Sequence, residues 1–298
     1  MTGALEPHRR MLWAVAWRML GDPEEAGDVV QETFLRALDR PPADTQRPWG
    51  GWLLRVATNL ARDRLRLRRR RGWEGPWLPA PLEVERVADP EVDPERQAAL
   101  RETAAYAWLV AAESLTPTQR AVLLLREVAG LDVAETADAL GLTAGNVKVH
   151  HHRARRALGT VGPATGDPEE AAAALLRFLL AVSAGDREAA RACLAPDVRV
   201  LSDGGGRYHA ARVPVVGADK VAGMYLQLAK WGAPDRLRLM QVPGGGGLVA
   251  EHDHPAAGQA PRWVQLARLG PDGKIAALWS VLAPEKVRGV AVHAEPAL

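Results

Sequence analysis

The sequence predicts a multidomain protein: two all-α domains, the second ending in a helix-turn-helix, then a C-terminal α+β cone. Three observations carry this. Residues 5–72 repeat apolar side chains at helical spacing. Ser114–Leu158 reads as three short capped helices in succession. After Leu158, two Ala/Leu-rich helices give way to strand-like runs separated by Gly-rich turns.

Composition narrows the class. A chain of 298 residues is long enough for two or three cores, and its formal net charge is only +2. A polyanionic partner must therefore be argued from where charge sits. The single cysteine, Cys193, excludes an intrachain disulfide framework and a cysteine-based zinc site; it falls in an Ala-rich helical stretch where packing is expected. Met11–Trp17 is too short for a secretory signal, and Ala171–Ala184 is interrupted by Arg177 and falls short of a membrane span. The expected setting is a reducing cytoplasm without membrane contact.

Taken in order, residues 5–20 form a first helix. Asp22-Pro23-Glu24-Glu25 caps a second, with Ala26, Val29, Val30, Thr33, Phe34 and Leu38 facing a core and Asp28, Gln31, Glu32 and Arg36 facing outward. A loop over Asp39–Arg47 follows. Pro48 opens a long helix ending near Gly72, whose last ten residues, Arg62–Arg71, hold seven arginines against Asp63. Such a tract repels itself in water and calls for a polyanion or an acidic surface. Trp49 and Trp52 stand on the same helix, either as base-stacking platforms beside the arginines or as core residues with Val56 and Leu60.

Thr116-Pro117-Thr118-Gln119 and Asp132-Val133-Ala134-Glu135 are capping boxes. Gly130 and Gly141 end their helices, and Thr143 caps a third that lasts to about Leu158. A small Ala137, Gly141 in the turn and apolar Val147 make a helix-turn-helix. No acidic residue lies between Gly141 and Asp167, so Lys148, Arg153, Arg155 and Arg156 leave the third helix cationic, as a helix in a major groove should be. A solvated basic face on a helical bundle is the bland alternative. His150-His151-His152 cannot converge on one metal, since neighbours on a helix point about 100° apart; a modest proton-dependent DNA affinity is the alternative use.

Residues 73–102 are a linker passing into a helix that runs to Ser114. Its first part, with Trp77, Leu78 and Leu82 among prolines, is too apolar for an idle tether. The acidic residues Glu83, Glu85, Asp89, Glu91, Asp93 and Glu95 could shield the arginine tract. Beyond a break at Gly159–Gly166, helices are expected over Pro168–Ser183, Arg187–Leu194 and Ala218–Lys230. Strands are expected over Val198–Ser202, Arg207–Val213, Leu237–Val242, Leu248–His252, Trp263–Leu269 and Ile275–Leu282, forming a curved antiparallel sheet with turns at Asp203–Gly206, Gly244–Gly247 and Pro271–Gly273.

The order of Asp-Pro-Glu-Glu…Asp-Val-Val-Gln-Glu-Thr-Phe-Leu, Pro-Trp…Trp-Leu…Ala-Thr-Asn-Leu-Ala-Arg-Asp and a helix-turn-helix ending Arg-Ala-Arg-Arg-Ala-Leu resembles bacterial sigma factors of the sigma-70 family, extracytoplasmic-function class. The resemblance makes the two all-α domains sigma domains: sigma region 2 over 1–72, a linker over 73–102 and sigma region 4 over 103–160. It implies core RNA polymerase (β′ clamp and β flap) and promoter DNA as partners, a monomer when free, and no enzymatic activity. Asp28, Gln31 and Glu32 match the polymerase-docking face. The Asp39–Arg47 loop with Trp49, Trp52, Asn59, Arg62 and Arg64 matches the region that holds the melted −10 element. Asn146, Lys148, Val149, His152, Arg153, Arg155 and Arg156 fall on the helix that reads the −35 element. Two positions depart from the pattern: His151 stands where an aliphatic residue is usual, and Val149 replaces a commonly polar reader.

Residues 167–293 resemble a SnoaL-like (NTF2-like) domain, a fold that often encloses an apolar pocket able to take a small apolar ligand. A subgroup of these sigma factors carries such an extension, with three motifs that match here: Trp77-Leu78-Pro79-Ala80-Pro81, Asp203-Gly204-Gly205-Gly206-Arg207, and a variant Ala283-Pro284-Glu285-Lys286. The resemblance implies that the extension grips the linker and sets activity in cis. No metal site and no cofactor is expected. Two other classes stay open: a repressor or activator that never meets polymerase, for which residues 1–72 would be superfluous, and a bifunctional protein with a working acid–base site drawn from Asp203, Tyr208, His209, Glu251, His252, Asp253 and His254.

Overall fold

The computed structural model describes residues 5–42, 48–83, 105–159, 167–243 and 245–290. Among these, 5–72 and 108–159 form one compact unit, and 73–83, 105–107 and 167–290 form another.

The first unit is helical. A 3₁₀ turn, Glu6–His8, leads into α1 (Arg9–Leu20), which Gly21 ends at φ 67 with its N–H on Trp17 O. The Asp22 side chain accepts from the Glu24 and Glu25 N–H groups and so starts α2 (Pro23–Asp39). Ala26, Val29, Val30, Thr33 and Ala37 are its buried face. Leu38, expected inside, is 44% exposed, and Phe34 is half-buried under the Arg9 guanidinium, 4.9 Å from its ring centre; Ala37 takes the inward place one residue earlier.

α3 (Gly50–Arg71) buries Leu53, Leu54, Ala57, Thr58, Ala61 and Leu65. The row expected from Trp52, Val56 and Leu60 is its half-buried flank. α4 (Tyr106–Ala112) then leads to α5 (Pro117–Glu127), α6 (Val133–Leu140) and α7 (Ala144–Leu158). Both capping boxes form, Gly141 takes φ 64, and Val147 is fully buried between α6 and α7. α5 and α6 also pack on α3. Arg120 of α5 is 2% exposed: it donates from Nη1 to Met19 O at 2.6 Å and from Nε to Ala112 O at 3.0 Å. Its Nη2 lies 2.8 Å from Glu113 as an ion pair, out of line for a hydrogen bond. A buried guanidinium needs such partners, and here they tie α1, α4 and α5 together.

In the second unit, α8 (Pro168–Ser183), α9 (Arg187–Ala192) and α10 (Ala218–Leu228, followed by a 3₁₀ turn Ala229–Trp231) pack on a six-stranded sheet. The strands are β1 (Leu194–Asp203), β2 (Val215–Val216), β3 (Arg236–Val242), β4 (Gly245–Glu251), β5 (Arg262–Leu269) and β6 (Ile275–Val281), in the order β2-β1-β6-β5-β4-β3. A short helix, α11 (Pro284–Val287), follows. Phe178, Leu175, Val221, Val198, Leu248 and Ile275 centre the core, and Phe178 meets Tyr225 edge-on at 5.0 Å. Cys193 packs at its margin, half-buried, with its thiol pKa raised by burial.

Three expectations are corrected. The sheet is mixed, because β1 runs parallel to β6 while all other pairs are antiparallel. Arg207–Val213 is not a strand; the short strand beside β1 at that point of the chain is Val215–Val216. Gly245, Gly246 and Gly247 lie inside β4 rather than in a turn. Their reason is packing: a Cβ at Gly246 would sit 2.0 Å from Pro168 O of α8, and one at Gly247 would sit 2.3 Å from Gln265 O. The break at 160–166, Gly244 and the acidic stretch 84–104 fall outside the described residues.

Candidate nucleic-acid and polymerase surfaces, and the linker clasp

On α7, the spacing places Asn146, Val149, Arg153 and Arg156 along one stripe and Lys148, His152 and Arg155 along its neighbour. All seven are exposed, while Val147, Ala154 and Leu158 face the core. Among the described residues Lys148, Arg153 and Arg156 form no ion pair, and Arg155 lies 3.5 Å from Glu127. The three histidines separate as the helix requires: His150 is half-buried, His151 turns inward to meet Glu127 at 3.0 Å, and His152 stays exposed. That polar partner explains a histidine where an aliphatic residue would otherwise pack.

α3 disposes of its cations differently. Asn59 Nδ2 donates to Ala139 O at 3.3 Å and Arg62 Nη1 to Leu140 O at 3.4 Å, so both cap carbonyls at the C-terminus of α6. Arg55 pairs with Asp138 on the same helix at 3.3 Å. Burial, reinforced by Arg66, lowers the Arg62 pKa. Arg64 donates to Glu25 O at 3.0 Å and lies 3.7 Å from Asp28 and 3.6 Å from Glu32. Arg68 donates to Leu20 O at 2.8 Å and pairs with Glu113; Arg69 donates to Leu115 O at 2.5 Å. The dense positive tract thus finds much of its compensation within the unit. Trp49 and Trp52 are half-buried at the start of α3. On α2, Asp28 and Gln31 are exposed and Glu32 is half-buried, displayed rather than packed inside.

In the second unit the three motifs meet. Asp203, at the end of β1, is fully buried and its carboxylate is saturated. Oδ1 accepts from Trp73 Nε1 at 2.9 Å and from Gly205 N at 3.1 Å; Oδ2 accepts from Leu78 N at 2.8 Å and from Lys286 Nζ at 2.5 Å. Lys286 also donates to Leu78 O at 2.6 Å and lies over the rings of Trp73 (4.5 Å) and Trp77 (3.8 Å). One ion pair therefore grips both polar groups of the Leu78 backbone. A buried pair is tolerable only when its remaining hydrogen-bonding capacity is used, and here it is.

Pro79 and Pro81 are buried beside it, and prolines bring no N–H that would need a partner. Tyr106 donates to Pro79 O at 2.8 Å, and burial, with Asp203 nearby, raises its pKa well above the usual phenol value. The turn after Asp203 requires its glycines: Gly205 and Gly206 have φ 59 and 70, and a Cβ on Gly206 would sit 2.8 Å from Glu74 Oε2. At Gly204 a Cβ would sit 2.8 Å from Tyr208 O. Pro284 starts α11, which presents Lys286; Glu285 is half-buried, whereas Arg207 is exposed and forms no ion pair among the described residues. Arg212 pairs with Glu74 at 2.5 Å and Arg238 with Glu83 at 2.5 Å, further holding the linker.

Sequence reasoning missed Trp73, Tyr106, Arg212 and Arg238 as members of this clasp. Only Trp73 carried a signal, an aromatic beside the proline-rich stretch. Of the acid–base candidates, Asp203 is consumed by the linker and Glu251 by Arg236 (3.1 Å) and Arg262 (2.5 Å).

Comparison with known proteins decides the family. The sigma-70 region 2 model matches residues 4–71 and the sigma-70 region 4 model matches residues 107–158. The ECF RNA polymerase sigma factor SigJ of Mycobacterium tuberculosis is 32% identical over 295 residues, covering 95% of this chain and 92% of that protein. This chain is an extracytoplasmic-function sigma factor. The crystal structure of the M. tuberculosis extracytoplasmic function sigma factor SigJ matches with a TM-score of 0.73 at 28% identity, covering 98% of this chain and all of that one. A probable ECF RNA polymerase sigma factor, SigI of the same organism, is 31% identical over 247 residues, covering 81% of this chain and 80% of that protein. As a sigma factor the protein joins core RNA polymerase and directs it to promoter DNA; its act is binding, and the polymerase performs the chemistry. No helix among the described residues is long and apolar enough to cross a membrane.

Proposed function

We propose that this sigma factor is regulated in cis, and that the free chain is a closed form in which both the −10 surface and the inter-domain linker are restrained. Asn59 and Arg62, proposed to follow the backbone of the melted −10 strand, are occupied by the α6 carbonyls. Trp49, Trp52 and Arg64 complete that surface. Asp28, Gln31 and Glu32 dock on the β′ clamp, and Asn146, Lys148, Val149, His152, Arg153, Arg155 and Arg156 meet the −35 element.

The observation that carries the regulatory reading is the grip of Asp203 and Lys286 on both backbone groups of Leu78. Residues 73–83 and 105–107 are held by one unit, so the chain between them has both ends fixed. Released and extended at roughly 3.3–3.6 Å per residue, residues 73–83 would add on the order of 35–40 Å of reach between regions 2 and 4. Polymerase supplies the binding energy that favours the open form.

The test is run-off transcription with purified core polymerase at limiting sigma factor, comparing wild type with Lys286→Met. Losing a charge-assisted hydrogen bond to the linker is worth about 1.5–3 kcal/mol, so the closed-to-open equilibrium should move roughly 10–100-fold and transcription should rise. Transcription and polymerase affinity equal to wild type would sink the proposal.

A further inference from the structure

The cone of the second unit holds a cavity of about 510 Å³, within the range of small-molecule sites. Its walls are apolar, with Leu179, Val182, Met224, Trp231, Ala260 and Trp263 among them. Among the described residues no Asp, Glu, Lys or Arg lines it. A charged guest would lose its hydration and find no carboxylate, ammonium or guanidinium to pair with.

The polar lining includes His209, His252 and Gln259, the last 2.8 Å from the His252 ring, and a second set joined by hydrogen bonds around Gln265. Tyr225 and Ser280 both direct a hydroxyl to Gln265 Oε1 at 2.8 Å, and Gln265 Nε2 donates to Leu266 O at 3.3 Å. Burial pushes the Tyr225 phenol up to about 12, so this second set stays neutral. With both hydroxyl protons spent on Gln265, the lone pairs of the Tyr225 and Ser280 oxygens remain to accept from a guest.

The cavity shares its walls with the clasp. Ser202 and Leu282 line it. Asp203 is the next residue after Ser202, and the Leu282 and Ala283 N–H groups bind Asp203 O at 2.8 and 3.0 Å. Ala210 and Ala211 also line it, and the adjacent Arg212 holds Glu74. A molecule that fits the cavity with the clasp closed stabilises that form to the extent that freeing Asp203 disturbs the Ser202 and Leu282 walls.

We infer that this cavity binds a neutral, largely apolar molecule whose hydroxyl or amide donor rests on Tyr225 and Ser280, and that occupancy holds Asp203 and Lys286 on the linker. The second half rests on the clasp reading above; the binding itself does not.

The experiment uses the full chain and 4-cyclohexylphenol, with 4-cyclohexylbenzoate as its charged counterpart, titrated calorimetrically. The phenol should bind one to one and at least tenfold more tightly than the carboxylate. Met224→Trp, which fills the space, should abolish binding, and Tyr225→Phe should weaken it, each with a cooperative melt to show that the variant folds. Amide exchange over 73–83, the Leu78 N–H in particular, should slow by up to about 100-fold at a probe concentration near 100 times Kd. Asp203→Asn should keep the binding and lose the exchange response, which separates a failed clasp from a failed site. No saturable binding, equal affinity for the carboxylate, undiminished binding in Met224→Trp, or unchanged exchange in the saturated wild type would overturn the inference.

Discussion

α3 and α7 are both arginine-rich helices proposed to touch the same promoter, yet they hold their charge in opposite ways. On α7 the lysine and arginines stand exposed, and among the described residues only Arg155 of these has an acidic partner, Glu127, which also meets His151. On α3 they are anchored: Arg62 on Leu140 O, Arg64 on Glu25 O, Arg68 on Leu20 O and Glu113, Arg69 on Leu115 O. An exposed cation loses little on meeting a phosphate, whereas an anchored one must first give up a protein partner. On the proposed assignment, the −35 surface is therefore ready in the free chain, and the −10 surface becomes available only when α3 leaves α6.

The contrast makes its largest prediction about stability. Arg68→Ala leaves Glu113 with Arg120 as its ion-pair partner but removes one charge-assisted contact to it and the cap on Leu20 O, so urea unfolding should show a loss of about 2 kcal/mol. Arg153→Ala and Arg156→Ala, on the displayed helix, should stay within about 0.5 kcal/mol of wild type. A similar cost on both helices would erase the distinction.

Binding should invert that order. Each of Arg153→Ala and Arg156→Ala should weaken the polymerase holoenzyme's hold on promoter DNA and lower the salt dependence of log K by about 0.9 for each phosphate left without its cation. Measuring affinity against salt concentration for the two single variants checks this.

The smallest expected effect separates the two units by pH. The three tyrosines, Tyr106, Tyr208 and Tyr225, all belong to the second unit. Burial raises Tyr106 well above the ordinary phenol value and Tyr225 to about 12. A raised folded pKa favours the protonated form, so this contribution is intact below about pH 10 and is lost as pH rises toward 12. Alkaline titration should show the Tyr225 tyrosinate appearing only near pH 12 or together with unfolding, and that of Tyr106 later than an ordinary phenol; Tyr225→Phe should make the loss of stability less steep.

Much of the helical half could be read from sequence because its signals are local. Capping boxes at Thr116 and Asp132, the cap at Thr143 and the glycine at 141 fix where helices begin and end whatever surrounds them. That α7 is cationic followed from the lack of acidic residues after Gly141; which of its residues would face DNA came from the resemblance. Failures came where a distant partner decides. Gly245–Gly247 looks like a turn until the α8 backbone is laid against Gly246. The parallel β1–β6 pairing leaves no mark in either strand, since strand direction is a property of the whole path. The clasp was legible as three motifs and a resemblance, but which atoms meet was not: that Asp203 would accept from Trp73 and Leu78 at once, or that Tyr106 would close over Pro79, depends on chain far apart in sequence.

In the proposed mechanism α3 separates from α6 when the sigma factor engages polymerase and promoter. Arg55 and Asp138, exposed residues on the two helices and 3.3 Å apart, are the positions at which to measure it. With Cys193→Ser removing the lone native thiol, Arg55→Cys and Asp138→Cys can carry spin labels for a pulsed distance measurement on free chain and on the complex with core polymerase and promoter DNA. The prediction is a short distance in the free chain and a clearly longer one in the complex; a short distance in both states would contradict it.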